Sequence, residues 1–215
     1  ERCNREQYAV VKQIQQKHRT ENPPLLYDLT SLQRDANKLC GYTAQQTLDY
    51  AQSLYEKKLL TYPRTDSRYL TQDTRDGLDE LANRVRLALP FAAALELHAH
   101  PDRVIDDSKV SDHHAIIPTA AMPDLTQTIH ALTSGELDLL HLVCARFLCA
   151  LDDPLAYNET TVTLLCGEHE FTARRKRMTC MGWQRIWYAF RGSLGSRLAD
   201  EETYQEEAIP TELAE

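Results

Sequence analysis

In the stretch Leu59-Leu60-Thr61-Tyr62-Pro63-Arg64-Thr65-Asp66-Ser67-Arg68-Tyr69-Leu70, a tyrosine lies two residues before an arginine, with a proline between them. Proline disfavours the α conformation in the residue before it, so Tyr62 is expected in extended backbone. Side chains in an extended segment return to the same side every second residue, which puts Tyr62 and Arg64 on one face. A phenol oxygen can act as a nucleophile. A guanidinium can hold phosphate through paired hydrogen bonds and favour the phenolate. A free phenol ionises near pH ~10, so at neutral pH it needs a neighbouring cation, a base or a well-placed phosphate. The pair suits attack on a phosphodiester.

Two helices lead into this segment. Asp28 or Thr30 can cap a helix that runs through Cys40, with Gly41 as the residue beyond its end. Thr43 caps a second helix, whose apolar stripe is Ala44, Thr47, Leu48, Ala51, Leu54 and Tyr55. Lys57 and Lys58 follow at its C-terminus, where cations favour the helix dipole. Two short helices, a Gly-Tyr turn and an extended segment outline a helix-turn-helix with a wing. A longer helix is expected over roughly 73–97, with Pro90 breaking or kinking it. The sequence Thr133-Ser134-Gly135-Glu136 reads as a capping box that opens a helix to about Ala150. His141 on its apolar face reads as a core histidine, and Asp152-Asp153-Pro154 closes it. The period then changes to two. A strand over Glu159 to Leu165, a turn at Gly167-Glu168 and a return through Phe171 to Arg174 make a hairpin. Residues 1–24 read as a polar helix or strand that ends at a boundary marked by Pro23-Pro24.

The tyrosine motif resembles the active-site motif of type IA DNA topoisomerases, and its Tyr-Pro-Arg-Thr-Asp-Ser-Arg-Tyr-Leu form is closer to the topoisomerase III branch. A second motif, Val110-Ser111-Asp112-His113-His114-Ala115-Ile116-Ile117-Pro118-Thr119, follows fifty-one residues after Tyr62, counted to His113. In the family a His followed by x-Ala-Ile-x-Pro occurs after the tyrosine motif, and His113 falls on that histidine. His114 and Ile117 replace the acid and arginine of the topoisomerase I branch, which again resembles topoisomerase III.

The resemblance implies a catalytic set of Tyr62, Arg64 and His113. Tyr62 would form a 5′-phosphotyrosyl link on single-stranded DNA, and no ATP would be needed. Arg64 would position phosphate. His113 would hydrogen-bond phosphate or relay a proton to the leaving 3′ hydroxyl. DNA contacts are expected from Lys58, Arg64, Thr65, Ser67, Arg68, His113 and His114. The family also binds Mg2+ through an Asp-x-Asp pair in another domain. No Asp-x-Asp occurs in this chain, so no metal ligand is expected in it.

The implied fold class is α+β and mainly helical: a helix-turn-helix or winged-helix-like (CAP-like) tyrosine domain plus part of a β-rich toroid arch. The corresponding divisions are an incoming segment over 1–24, the tyrosine domain over 25–156, return strands over 157–191 and an acidic segment over 192–215. The resemblance covers roughly 23–190, which makes the chain an internal fragment with little or no turnover of its own. Its expected partners are single-stranded DNA and the rest of the polypeptide, with no membrane. The expected place is the cytoplasm, on the nucleoid.

Composition fits these expectations once it is divided along the chain. A chain of 215 residues suffices for one or two domains. It contains no run of about 18 apolar residues and opens on no charged-then-apolar leader, so it reads as soluble and untargeted. Its net charge is −8, but residues 192–215 carry −6 of it. Residues 57–75 hold five bases and two acids, and 174–191 hold six bases and no acid. Such local basic surface steers a polyanion whatever the total charge. The six cysteines, Cys3, Cys40, Cys144, Cys149, Cys166 and Cys180, form no Cys-x-x-Cys pair and read as free thiols.

Three other readings compete. A winged-helix DNA-binding module without catalysis accounts for the helices and basic strand but not for the Tyr62, Arg64 and His113 set. Asp112-His113-His114 also spells the signature of manganese phosphoesterases, a chemistry that requires upstream aspartates at ligand spacing. A helical adaptor accounts for neither motif.

Overall fold

Asp28 starts the first helix, α1 (Leu29–Cys40): its carboxylate accepts from the Ser31 amide, and the Ser31 hydroxyl accepts from the Asp28 amide in return. Gly41 ends the helix in left-handed geometry (φ 74°), which a residue without Cβ adopts freely. Thr43 and Gln46 form the same reciprocal cap on α2 (Ala44–Glu56). These features come from a computed structural model that describes residues 8–120 and 131–195. Cys3 and residues 196–215 of the acidic segment lie outside the described residues. The protein is a mixed helix and sheet structure.

The expected long helix over 73–97 is instead three pieces. Gln72–Thr74 is a single 3-10 turn, α3 occupies only Leu78–Ala88, and a non-helical run follows. Gly77 enters α3 with φ 96°, a left-handed conformation that separates the two helical pieces. At the other end Leu89 is extended (φ −101°, ψ 116°), as a residue before proline should be.

The fourth helix, α4 (Ser134–Leu151), is the centre of the helical unit. Among its buried side chains are Leu139, Leu140, Val143, Phe147 and Leu148. It packs against α1, α2, α3 and α5 (Gln184–Ser193). His141 sits half-buried on it with its ring edge-on to Phe91 at 5.9 Å, and burial holds its pKa below the ordinary value. At its C-terminus the fully buried Asp152 receives a forked pair of hydrogen bonds from Arg185 of α5, at 3.0–3.2 Å. Residues 182–191, grouped with the return strands in the sequence, therefore differ from expectation. Most of them are helix, because Ile186 and Phe190 bury one α-helical face and Arg185 reaches Asp152.

At the other end of α4, Glu136 accepts from the Thr133 amide (2.8 Å), the Thr133 hydroxyl (3.1 Å), the Ser53 hydroxyl and the Lys57 ammonium. Burial alone would raise its pKa, but these donors together outweigh burial and lower it from 4.5 to about 2. A carboxylate depressed in the folded state stabilises fully above its unfolded pKa and loses that contribution as pH falls through the folded one. Glu136→Gln is thus expected to destabilise by about 1–3 kcal/mol at neutral pH. Thermal unfolding followed from pH 7 downwards should show the gap to wild type closing between pH 4.5 and about 2. A gap independent of pH would contradict this role.

The second unit is a three-stranded antiparallel sheet in the order β1-β2-β3, with β1 at Val10–Glu21, β2 at Leu155–Cys166 and β3 at His169–Cys180. Among the described residues it takes in 8–21 and 154–181, and the helical unit takes in the remainder. The incoming segment is a strand rather than a helix. It has no apolar helical face, all twelve residues are exposed, and its backbone is satisfied by pairing with β2. The hairpin turns at Gly167 (φ 61°) and Glu168. The register aligns Thr161 with both Gln15 and Arg174. Alternation divides the basic run: Arg174 and Lys176 take one face of β3, Arg175 and Arg177 the other. Lys176 lies 4.8 Å over the Tyr157 ring. Among the described cysteines, Cys40, Cys144, Cys149, Cys166 and Cys180 are thiols outside any disulfide.

Candidate active site

From Leu59 to Leu70 the chain is extended and irregular, and burial alternates along it. Pro63, Thr65 and Ser67 point inward, while Arg64 and Asp66 are exposed and Tyr62 is half-buried. Tyr62 and Arg64 thus occupy the same outward row. The row is held by its inward neighbours. Thr65 donates its hydroxyl to the His113 carbonyl (2.8 Å) and accepts from the Ser67 amide (3.1 Å). Ser67 donates to the Lys109 carbonyl at 2.8 Å and accepts from the Tyr69 amide at 3.1 Å. With exposures of only 8% and 4%, Thr65 and Ser67 have their hydroxyls spent inside the protein rather than offered to a ligand.

These bonds bring the second motif to the first. Thr61 donates its amide to the Ile117 carbonyl, donates its hydroxyl to the Ala115 carbonyl and accepts from the Ile117 amide, all at 3.0–3.1 Å. The Ala115 amide reaches the Tyr69 carbonyl at 2.9 Å. The result is a tilted ring contact between two side chains fifty-one positions apart: the rings of Tyr62 and His113 are centred 4.4 Å from each other with their planes at 49°. Tyr55 also packs edge-on against Tyr62, at 5.4 Å. A cleft of about 250 Å³ opens beside them, lined by Tyr62, Thr71, Ser111, Asp112, His113 and His114.

The remaining residues named from the sequence take different positions. Arg64 is exposed, and among the described residues its guanidinium has no partner. His113 is exposed in its loop. His114 is half-buried and its Nδ1–H donates to the Ala115 carbonyl (2.8 Å), which leaves Nε2 as the nitrogen available to the cleft. Lys58 is exposed beyond α2 in left-handed backbone (φ 61°), where its carbonyl accepts from the Thr119 hydroxyl. Arg68 is half-buried and donates from Nε to the Leu26 carbonyl at 3.1 Å, so it braces the segment beneath the site.

That segment, residues 25–29, backs both motifs. The Leu29 amide donates to the Thr65 carbonyl (3.0 Å), and the Tyr27 carbonyl accepts from the Ile116 amide (2.8 Å). Below it, Arg146 lies 4.4 Å over the fully buried Tyr27 ring and pairs with Asp35, to which the Tyr27 hydroxyl also donates. Burial pushes the Tyr27 phenol far above its ordinary range and keeps it a neutral donor. Of these two tyrosines, the buried one is structural and the half-open one faces a cleft.

Sequence reading missed Tyr55 and Thr61. Tyr55 was assigned to the buried stripe of α2, yet it is 40% exposed and its ring packs on Tyr62 instead. Its place as the last residue but one of α2 was the only signal for this. Thr61 carries no signal, because its two partners lie far along the chain. Asp112, His113 and His114 join no group of three metal-type donors among the described residues. The acids nearest Tyr62 in sequence and cleft, Asp66 and Asp112, are exposed and belong to no group of three metal-type donors among the described residues. The site residues of this chain therefore do not fit a Mg2+ ion, which takes several oxygen ligands in near-octahedral array.

A family model described as DNA topoisomerase matches residues 1–208. DNA topoisomerase 3 of Bacillus cereus is 42% identical over 186 residues, which are 84% of this chain and 25% of that protein. DNA topoisomerase 3 of Bacillus licheniformis is 38% identical over 208 residues, 94% of this chain and 27% of that protein. The chain thus spans about a quarter of the length of these relatives. The structure of full-length topoisomerase I from Thermotoga maritima superposes on 92% of this chain and 32% of its own with a TM-score of 0.64, a likeness of fold at 22% identity. Both motifs, their meeting in one cleft and these similarities together place the chain in the type IA DNA topoisomerase family, on its topoisomerase III branch.

Proposed function

We propose that this chain carries the strand-cleaving tyrosine domain of a topoisomerase III-like enzyme. That enzyme cuts one DNA strand through a 5′-phosphotyrosine, passes another strand through the gap and reseals the first, relaxing negative supercoils or decatenating DNA. The observation that carries this reading is the 4.4 Å packing of His113 on Tyr62 beside an open cleft, with Arg64 on the same outward row.

In the cleavage step the Tyr62 oxygen attacks the scissile phosphorus and the bond from phosphorus to the 3′ oxygen breaks. The phenol gives up its proton as the new ester forms and the leaving 3′ oxygen takes one up, so that one proton passes from the phenol to the leaving group, with His113 as its relay. Arg64 grips the non-bridging oxygens as negative charge grows on them. The ester keeps the energy of the broken bond, so reversal reseals the strand without ATP. Mg2+ belongs to ligands elsewhere in the polypeptide, in the acidic domain that the family places before this one. DNA contacts come from the exposed Lys58, Arg64, His113 and His114. Thr65, Ser67 and Arg68 act from beneath, as positioning residues.

On this reading α1, α2 and the extended segment form the helix-turn-helix-like, CAP-like part of the tyrosine domain, and the sheet belongs to the arch that closes a ring. The tyrosine domain takes in 25–153 together with the helix α5 that packs on α4, the return strands are Leu155–Cys166 and His169–Cys180, and 192–215 holds the acidic segment. The enzyme works on single-stranded DNA in the cytoplasm, on the nucleoid. No helix among the described residues is long and apolar enough to cross a membrane. Alone, the chain binds single strands weakly and does not turn over.

The test of the whole reading is the covalent adduct formed by the full-length enzyme with single-stranded DNA, and its loss in Tyr62→Phe. A narrower test addresses the scaffold. Thr65→Val keeps the side-chain shape but removes both hydroxyl bonds, so it should lower cleavage about tenfold or more through misplacement of His113 while DNA affinity stays near wild type. Loss of affinity with unchanged cleavage of bound DNA would instead make Thr65 a DNA contact.

A further inference from the structure

The hydroxyl of Tyr62 has no hydrogen-bond partner among the described residues, so packing alone orients the ring that carries it. Two rings touch it: His113 at 4.4 Å with the planes at 49°, and Tyr55 at 5.4 Å with the planes at 77°. The first contact comes from an exposed loop residue, the second from a helix.

Tyr55 is the last residue but one of α2, and that end of the helix is anchored. Ser53 and Lys57, two positions to either side of Tyr55, both donate to the buried Glu136 carboxylate of α4. Two positions turn a helix by about 200°, so Tyr55 stands on the face opposite this attachment. Ala51 and Leu54 of the same helix are fully buried in the core. Past the helix end the Lys58 amide closes on the Tyr55 carbonyl (2.8 Å) and the Leu59 amide on the Leu54 carbonyl (2.9 Å). A short fixed turn therefore joins α2 to the segment that holds Tyr62. The Tyr55 hydroxyl, like that of Tyr62, has no partner among the described residues, and the side chain is partly open to solvent. Its ring contact with Tyr62 is what this side chain contributes.

We infer that Tyr55 is a positioning residue for the nucleophile: its ring, carried on the anchored end of α2, sets the direction of the Tyr62 ring and so aims the phenol oxygen at the scissile phosphorus. The inference rests on the strand-cleavage reading of Tyr62 and adds a residue that acts through it. Aromatic pairs prefer an edge-to-face arrangement because the positive edge of one ring meets the negative face of the other. A nucleophile held in a near-attack direction reacts faster than one that samples many. The role requires the Tyr55 ring and not its hydroxyl, and it acts on the rate of the bound complex rather than on DNA affinity. Resealing uses the same aim, with the Tyr62 oxygen as the leaving group.

The test uses the full-length enzyme and a labelled single-stranded oligonucleotide. Tyr55→Leu and Tyr55→Gln both remove the ring, and each should slow adduct formation at saturating oligonucleotide by about tenfold. The dissociation constant and its salt dependence should stay at the wild-type values. Tyr55→Phe keeps the ring and should recover most of the lost rate. Two ring-less variants are made so that a folding defect in one, seen in its unfolding temperature, leaves the other to decide. A wild-type rate without the ring would overturn the inference. So would a loss of affinity in place of rate, which would make Tyr55 a DNA contact, or a loss that Tyr55→Phe does not recover, which would assign the effect to the hydroxyl. Tyr62→Phe is measured alongside. An adduct in that variant would overturn the strand-cleavage reading itself, whereas no adduct there, with normal cleavage in the ring-less Tyr55 variants, would overturn only the role of Tyr55.

Discussion

Tyr62→Phe in the full-length enzyme is expected to abolish the covalent adduct with single-stranded DNA, with strand cleavage falling by about 10,000-fold or more, as when a nucleophile is deleted from a concerted site. The substitution removes one oxygen and keeps the ring that packs against His113 at 4.4 Å and Tyr55 at 5.4 Å. Folding and DNA affinity should therefore stay near wild type. The measurement is a labelled single-stranded oligonucleotide trapped on the protein under denaturing conditions, with binding measured in parallel. Tyr55 makes this test stringent, because it is an exposed phenol in contact with the Tyr62 ring. An adduct that survives Tyr62→Phe and vanishes in Tyr55→Phe would move the nucleophile. An adduct that survives both would remove this chain from the chemistry.

Arg64→Ala should lower cleavage by about 100- to 1,000-fold, the loss seen when one preorganised donor to a developing anion is removed. Arg64→Lys should recover only part of that loss, since lysine keeps the charge but not the planar fork. The reason to expect a large effect is local. Arg64 has no partner among the described residues, so its guanidinium is not engaged in holding the fold. Its removal should also flatten the salt dependence of single-strand binding by about 0.7 in the logarithmic slope, one phosphate contact fewer. Comparing single-stranded with duplex DNA across salt measures both effects. A slope that does not change would mean Arg64 never meets phosphate. Cleavage that does not change would confine its role to binding.

How much of this was readable before any coordinates is best seen residue by residue. The caps were legible, because a cap is a bargain between neighbours: Asp28 with Ser31, Thr43 with Gln46 and Thr133 with Glu136 each lie three positions apart. The hairpin turn at Gly167-Glu168 and the end of α1 at Gly41 were legible for the same reason, since backbone preference acts within a few residues. The face shared by Tyr62 and Arg64 followed from the proline and the period of two. The helix over 73–97 was misjudged because Gly77 was passed over as a break. The run after β3 was misjudged because the pairing of Arg185 with Asp152 spans 33 positions and leaves no local trace.

Residue chemistry and short-range spacing were enough to make Tyr62 and Arg64 candidates for a nucleophile and its phosphate-binding partner, because those signals are carried by types and neighbours, whereas His113 entered only through the family resemblance. They could not tell which hydroxyls and cations face outward. Thr65 and Ser67 look like DNA contacts in a row of polar residues, but folding turns them inward, where desolvation obliges them to bond the His113 and Lys109 carbonyls. Tyr27 and Tyr62 are both tyrosines beside apolar residues. Only their surroundings separate them: one is buried against Arg146 and Asp35, the other opens on a cleft beside His113. The meeting of Tyr62 with His113 required long-range backbone bonds that the chain closes only when its core is packed.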